Sequence, residues 1–228
     1  DVNHIKNVLR MKPGEKIRVC TRNGQNYFCS ISDITESFVR ADILEKEAES
    51  TELPCRIYLF QGLPKNDKME WIIQKTVELG VYEVIPVAMK NCVVKLDDKK
   101  AKSKVMRWQA IAESAAKQSK RSLIPEVKMP MSYKEAVAYA KELDVKLVPY
   151  ENEHGMAGTK AAMEQIKKGE SIAVFIGPEG GFAPEEIALV QDEMQLISLG
   201  KRILRTETAG IAALAILGYQ LESSDMIE

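Results

Sequence analysis

The chain has 228 residues, 45% of them hydrophobic and 29% charged, with a formal net charge of −1 at pH 7. That length fits two modest domains or one large one, and the composition is that of an ordinary soluble globular protein. No apolar run approaches the ~20 residues needed to span a bilayer, no signal-peptide pattern is present, and a near-zero charge means that any affinity for a polyanion comes from local patches.

Residues 1 to about 56 alternate like β-structure in three runs, KIRVC, QNYFCSISDI and SFVRADILEK. Pro13-Gly14 and Asn23-Gly24 separate them, the second a hairpin signal, so a small β-barrel is expected. Within residues 1–22, Lys6, Arg10, Lys12, Lys16, Arg18 and Arg22 stand against Asp1 and Glu15, a balance of +4. Taken alone, such charge reads as solvation of a surface strand. Cys20, Cys29, Cys55 and Cys92 show no CxxC spacing, and His4 and His154 fall in no ligand pattern, so free thiols in a reducing cytoplasm and no metal are expected.

From Arg56 strands and helices alternate, which predicts α/β architecture. RIYLF reads as a strand, and residues 68–79 as a helix whose Met69, Ile72, Ile73, Thr76, Val77 and Leu79 form one stripe, ended by Gly80. EVIPV is the next strand. Lys65 precedes this helix and Lys75 is among its polar positions, both read as solvated or ion-paired lysines. Residues 90–107 carry Lys90, Lys95, Lys99, Lys100, Lys102, Lys104 and Arg107 against Asp97 and Asp98, a balance of +5, on what reads as a long helix running towards Ser119. A solvated face is the default for such a stretch; a surface for RNA is the preferred reading. Gln118 and Arg121 close this segment as QSKR, and KLVPYE at 146–151 is a further strand ending in Tyr150 and Glu151.

Two glycine-bearing turns follow. SIAVF reads as a buried strand running into FIGPEGGF, where Gly177, Gly180 and Gly181 can take positive φ and Pro178 stiffens the turn. Pro184 fits the first position of the next helix and Phe182 can staple against Ile187, while Ala183 is a poor cap. LISLG is another short strand, ending at Gly200, and the helix from about Thr208 to Leu221 is apolar on nearly every side, so it is expected to be buried. Between them lie Lys201, Arg202, Arg205, Thr206, Glu207 and Thr208. A lone GxxGG is equally a tight turn, but three strand ends, at Tyr150, Gly177 and Gly200, are consistent with one shared ligand site. Glu179, Glu185 and Glu186 disfavour a triphosphate; a purine nucleoside with a cationic sulfur suits peptide groups and carboxylates better, which points to S-adenosylmethionine.

GPEGGF followed by LGKRILRTETA resembles the RsmE family of SPOUT-class RNA methyltransferases. The resemblance extends through HIKNVLRMKPGEKI, LPKNDKMEWIIQKTVELGV at 63–81 and AAKQSKRSLIP at 115–125, and so covers nearly the whole chain. It implies a PUA-like RNA-binding β-barrel over residues 1–56, some residues upstream of Asp1, and a trefoil-knotted parallel-sheet methyltransferase domain over residues 57–228. It implies methylation of N3 of a uridine in small-subunit 16S ribosomal RNA, in the cytoplasm, by a homodimer that uses S-adenosylmethionine. Its motif matches put the cofactor against Tyr150, Glu151, Ile176, Gly177, Pro178, Glu179, Gly180, Gly181, Leu199, Gly200, Ile203, Leu204, Thr208 and Ala209. RNA is expected at Arg10, Lys12, Arg18, Arg22, Lys65, Gln118 and Arg121. The chemistry is expected at Arg121, Arg205 and Glu207, an arginine stabilising the uracil anion and Glu207 orienting these groups or accepting the proton. Competing expectations are a ribose 2′-O-methyltransferase of the same class and a non-catalytic RNA-binding or ribosome-assembly module.

Overall fold

The computed structural model describes residues 2–21, 25–47 and 50–223. Its first unit comprises Asp1–Glu52 together with Lys120–Leu123, and its second Leu53–Ser119 together with Ile124–Glu228. In the first, a one-turn π-helix (His4–Val8) precedes β1 (Lys16–Cys20), β2 (Asn26–Ile34) and β3 (Val39–Lys46), an antiparallel sheet in the order β1-β2-β3. The expected Asn23-Gly24 turn lies outside the described residues, between the paired Cys20 and Asn26. Cys29 and Ile31 bury on one face of β2, as its alternation requires.

A single domain boundary after residue 56 was expected. The structure instead separates the units at Glu52 and returns residues 120–123 to the first. The reason lies in polar satisfaction. The Glu52 carboxylate pairs with Arg121 and accepts the N–H groups of Ser122 (2.9 Å) and Leu123 (3.1 Å), and Asn26 Nδ2 donates to Ser122 Oγ at 2.6 Å. The Lys120 carbonyl accepts from Arg18 Nη1 and from Thr51 Oγ1.

The second unit is built on seven parallel strands: β4 (Arg56–Gly62), β5 (Val81–Ala88), β6 (Glu126–Val127), β7 (Met131–Ser132), β8 (Val145–Pro149), β9 (Ser171–Ile176) and β10 (Gln195–Ile197). The order is β10-β8-β9-β4-β5-β6, with β7 also on β5. Strands buried on both faces read as continuous apolar runs, as IYLF does within β4 and IAVFI within β9. They are neighbours: Phe60 and Phe175 lie in register and stack at 4.4 Å. The helices are α1 (Lys68–Glu78), α2 (Asp98–Gln118), α3 (Tyr133–Ala140), α4 (Ala157–Glu164), α5 (Pro184–Val190) and α6 (Thr206–Ser223). In α1, Met69, Ile72, Ile73, Thr76 and Val77 are buried as its stripe predicts, and Gly80 ends the helix at φ +94°.

Chain order steps outward from β4 through β5 to β6, then returns on the other side of β4 through β8, β9 and β10. The reversal falls between β4 and β9. In open parallel sheets a crevice opens there, outside the carboxyl ends of the strands. The glycine loop after β9 begins at this point. α6 departs from expectation in one respect. Gly210, Ala213, Leu214, Leu217, Gly218 and Leu221 are buried, but Ala215 is exposed and Tyr219 is 74% exposed, so an all-apolar helix keeps one face open.

Candidate active site

Gly62 at the end of β4 and Gly177 at the end of β9 approach so closely that a Cβ on Gly62 would meet the Pro178 nitrogen at 2.7 Å and the Gly177 carbonyl carbon at 3.0 Å. Beneath this contact runs a buried relay. Gln61 Nε2 donates to Thr206 Oγ1 at 2.9 Å, and the Thr206 hydroxyl donates to the Gly177 carbonyl at 2.6 Å. Gln61 is fully buried, and its other amide hydrogen is held by the Gly62 carbonyl at 3.1 Å. The first turn of α6 is thereby pinned under the first glycine of the FIGPEGGF loop. Gly210, one turn on, leaves room for Gln61, whose Oε1 would stand 3.3 Å from a Cβ there.

Of the three loop glycines expected at positive φ, only Gly181 adopts it, at +67°; Gly200 does so at +110°. Gly177 and Gly180 sit instead where space is short: a Cβ on Gly177 would touch Phe182 and the Gly181 backbone at 3.3 Å. A Cβ on Gly180 would meet Asn91 Cβ at 2.9 Å, and Asn91 Nδ2 donates to the carbonyls of Gly180 (3.1 Å) and Gly181 (3.2 Å). The Glu151 carboxylate, at the end of the β8 segment, lies 3.3 Å from where a Gly181 Cβ would sit. The poor cap Ala183 is offset by Glu186 at the third helical position. Its buried carboxylate accepts the N–H groups of Ala183 (2.9 Å) and Lys90 (2.8 Å), tying the α5 start to the loop after β5.

At the mouth of the site Lys68 stands between two carboxylates, Glu179 Oε1 at 3.1 Å and Glu207 Oε2 at 3.2 Å, the latter an ion pair and not an aligned hydrogen bond. Glu179 Oε1 also accepts the Lys65 backbone N–H at 3.0 Å. The hydrogen bond to Glu179 raises the Lys68 pKa against a smaller desolvation effect, and Glu207 adds to it. Burial alone would raise Glu179; the backbone N–H groups of Lys65 and Glu179 itself and the Lys68 ammonium outweigh it and hold the carboxyl below its usual range. Lys68 and Glu179 therefore carry charge at neutral pH.

The other residues singled out by sequence distribute as follows. Leu199 and Gly200 are half-buried, with the Ser198 hydroxyl accepting the Gly200 N–H at 3.2 Å, while Tyr150 N–H bonds to the Ile197 carbonyl at 3.0 Å. Ile176 and Pro178 are buried, Leu204 and Ala209 are half-buried, and Arg205 and Thr208 are exposed, as is Ile203 at 83%. Arg121 is placed differently from a group poised over substrate. It belongs to the first unit, its side chain only 4% exposed and paired with Glu52. Arg18 is likewise committed, to Glu47 at 2.6 Å and to the Lys120 carbonyl. Arg10 and Lys12 are exposed, and Arg10 holds φ +54°, a conformation uncommon for a long side chain. Lys65 and Gln118 are exposed, and Arg22 lies outside the described residues. Sequence reasoning passed over Lys68, Gln61 and Asn91. Two of them carried a signal: Gln61 is a polar residue ending an apolar strand, and Lys68 is a cation at a helix start, where the macrodipole favours acids.

Two glycine loops and a helix start thus meet at the carboxyl edge of a parallel sheet. The sequence profile of a family described as RNA methyltransferase domain matches residues 51–218, and one described as RNA methyltransferase PUA domain matches residues 1–44. The class is accordingly that of RNA methyltransferases with an N-terminal PUA domain. Among relatives, the ribosomal RNA small subunit methyltransferase E of Bacillus subtilis is 39% identical over 226 residues, covering 97% of this chain and 88% of that protein. A crystal structure of the ribosomal RNA small subunit methyltransferase E of Neisseria gonorrhoeae bound to S-adenosyl methionine superposes with a TM-score of 0.80 at 34% identity, over 96% of this chain and 88% of that one. A Legionella pneumophila protein in complex with the bound cofactor SAM does so with 0.80 at 33%, over 95% and 87%. The chain belongs to the ribosomal RNA small subunit methyltransferase E family.

Proposed function

We propose that this protein methylates N3 of a uridine in the 16S RNA of the small ribosomal subunit, using S-adenosylmethionine. The observation that carries the reading is the Thr206–Gly177 hydrogen bond, which brings the two glycine loops together at the sheet's reversal point. The residues present fit the cofactor. Gly181, in a left-handed conformation with Glu151 against it, leaves backbone open where a side chain would crowd, and Glu151 and Glu179 supply carboxylates suited to a sulfonium. Tyr150, Ile176, Gly177, Pro178, Gly180, Leu199, Gly200, Ile203, Leu204, Thr208 and Ala209 complete the set that would hold it. Bound there, it supplies a methyl group on a cationic sulfur.

The protein's own part is alignment and charge. The N3 proton has to leave as the uracil nitrogen becomes a nucleophile. Glu207, on the first turn of α6, is the carboxylate placed to accept it, and the exposed Arg205 two residues before it is the cation for the developing uracil anion. Arg121, buried against Glu52, shapes the 120–123 loop of the first unit. N3 lies on the Watson–Crick edge, so the target base is unpaired or extruded. Arg10 and Lys12 of the first unit, with Lys65 and Gln118, are the candidates for holding the RNA backbone.

The open face of α6, with Ala215 and Tyr219, supports a homodimer formed through this helix, since a helix apolar all round is stable only when covered. Tyr219→Glu is expected to yield a monomer in sedimentation. The reaction is tested by incubating small subunits lacking the modification with labelled S-adenosylmethionine, then digesting the RNA and weighing its nucleosides. 3-Methyluridine is the expected product. A ribose 2′-O-methyl product would establish the competing chemistry, and no incorporation with no binding of S-adenosylhomocysteine would leave a non-catalytic RNA-binding module.

A further inference from the structure

Local structure before α1 runs against the ordinary preferences of a helix start. Asn66 sits at φ +56°, and Asp67 occupies the cap position without making a side-chain cap bond. The first helical residue is a lysine, placed where exposed N–H groups carry positive partial charge and favour an acid. Nothing in the helix's own stability calls for this arrangement. What it achieves lies outside α1. The turn aims the Lys65 N–H and the Lys68 ammonium at one carboxylate oxygen of Glu179, and the same ammonium reaches Glu207 on α6.

We propose that Lys68 is a positioning residue for methyl transfer: anchored to Glu179 on the glycine loop, its ammonium fixes the Glu207 carboxylate at the mouth of the site. This rests on the reading of Glu207 as the group that takes the uridine N3 proton. Glu207 lies half-buried in the first turn of α6, its Oε2 out of solvent, and a glutamate side chain has three rotatable bonds to be settled. A fixed cation settles them. The anchor is itself fixed, because Glu179 is held by a backbone N–H as well as by the ammonium. The two elements joined are also those the Gln61–Thr206–Gly177 relay joins beneath, so the clamp acts on side chains over a backbone contact already made. Without that cation Glu207 would face the Glu179 carboxylate with no counter-charge between them, and would turn towards solvent.

The test uses the whole protein and small subunits. Lys68→Met is expected to slow single-turnover methyl transfer about 30-fold while the Kd for S-adenosylhomocysteine changes less than about threefold. Lys68→Arg, which keeps a cation with enough donors for two carboxylates, is expected to recover most of the rate. Because Lys68 acts through Glu207, Lys68→Met combined with Glu207→Gln is expected to be no slower than Glu207→Gln alone. A crystal structure of Lys68→Met is expected to show the Glu207 carboxylate turned away from its present place. Additive losses in the double variant, equal loss of cofactor affinity and rate, or an unmoved Glu207 in that crystal would each overturn the proposal. An unmethylated product from the unaltered protein would overturn the proposed reaction instead, and the crystal structure would still decide whether Lys68 places Glu207.

Discussion

Replacing Thr206 with valine removes one hydroxyl, keeps the side-chain volume, and strikes the relay under the glycine loop. In the structure that hydroxyl accepts from Gln61 Nε2 and donates to the Gly177 carbonyl, with Thr206 5% exposed and Gln61 fully buried. Valine leaves one amide hydrogen of Gln61 and one carbonyl without partners, at about 1–3 kcal/mol for each buried group. Gln61 Oε1 already has no hydrogen-bond partner among the described residues, so turning the amide over offers no relief. Allowing for partial relaxation, the loss is about 2–4 kcal/mol, or ~5–12 °C in melting temperature for a unit of this size. Thr206→Ser keeps both hydrogen bonds and loses a methyl group, roughly 1 kcal/mol. Differential scanning calorimetry of the three proteins reads the difference, and the binding of S-adenosylhomocysteine to Thr206→Val is expected to weaken as the Gly177 loop loosens. A valine variant that melts within 2 °C of the unaltered protein, or above the serine variant, would refute the reasoning from buried polar groups.

Gly62→Ala is expected to lower stability by about 2–3 kcal/mol or more, because its Cβ falls 2.7 Å from the Pro178 backbone nitrogen, which cannot move without displacing the loop. Gly158→Ala in α4 has nothing within 4 Å of its Cβ and is expected to stabilise by about 0.5–1 kcal/mol, so thermal melts of the pair separate steric from entropic effects. Glu186→Ala strips the partners from the Ala183 and Lys90 N–H groups and is expected to cost about 2–3 kcal/mol, with faster hydrogen exchange at both amides as the local readout. Stability also depends on pH through the Lys68 cluster. Glu179 is held below its ordinary 4.5, so its contribution is full above that value and is lost as pH falls through the lower folded value. Lys68 is raised above its ordinary 10.5, so its contribution is full below that value and is lost as pH rises through the higher folded value. Urea unfolding across pH is therefore expected to show an acid limb that flattens in Glu179→Gln while the alkaline limb of Lys68 shrinks but survives through Glu207.

The sheet was legible because most of its strand residues are buried: RIYLF, EVIPV, KLVP and SIAVF each hold an apolar run behind one polar residue, and each is a strand here. The α1 stripe and its Gly80 stop were legible for the same reason, a period of 3.6 ended by a residue able to take positive φ. β6 and β7 escaped notice because two residues carry no period, and α4, AGTKAAME, is too short and too polar to stand out. At the site, the glycine loops announced themselves through composition. Their reasons did not: Gly177 and Gly180 look like positive-φ residues in sequence, yet what a side chain would meet there is Phe182 and the Gly181 backbone, tightly, in one case and Asn91, too close, in the other. Arg121 illustrates the limit from the other side. A motif supplies its identity, but whether a guanidinium faces substrate or a buried carboxylate depends on Glu52, 69 residues away in sequence.

α6 shows how one segment can meet several demands at once. Its first turn needs polar groups, since Thr206 holds Gly177 and Glu207 meets Lys68, whereas the rest is almost wholly apolar. A helix with that gradient cannot be placed by amphipathicity, because it has almost no preferred face; its orientation has to come from its ends and from its small residues. Gly210 sets the depth at which it rests on Gln61, and the Thr206 hydroxyl sets its rotation about its own axis. Once those are fixed, Ala213, Leu214, Leu217 and Leu221 are turned into the core, and Ala215 and Tyr219 necessarily outward. The apolar surface left open is thus a consequence of how the polar first turn is anchored. A dimer built on that surface would tie subunit association to the same Thr206–Gly177 contact that shapes the glycine loop, so Thr206→Val is expected to weaken association as well as cofactor binding, whereas Tyr219→Glu weakens association without raising the exchange rate of the Gly177 loop amides.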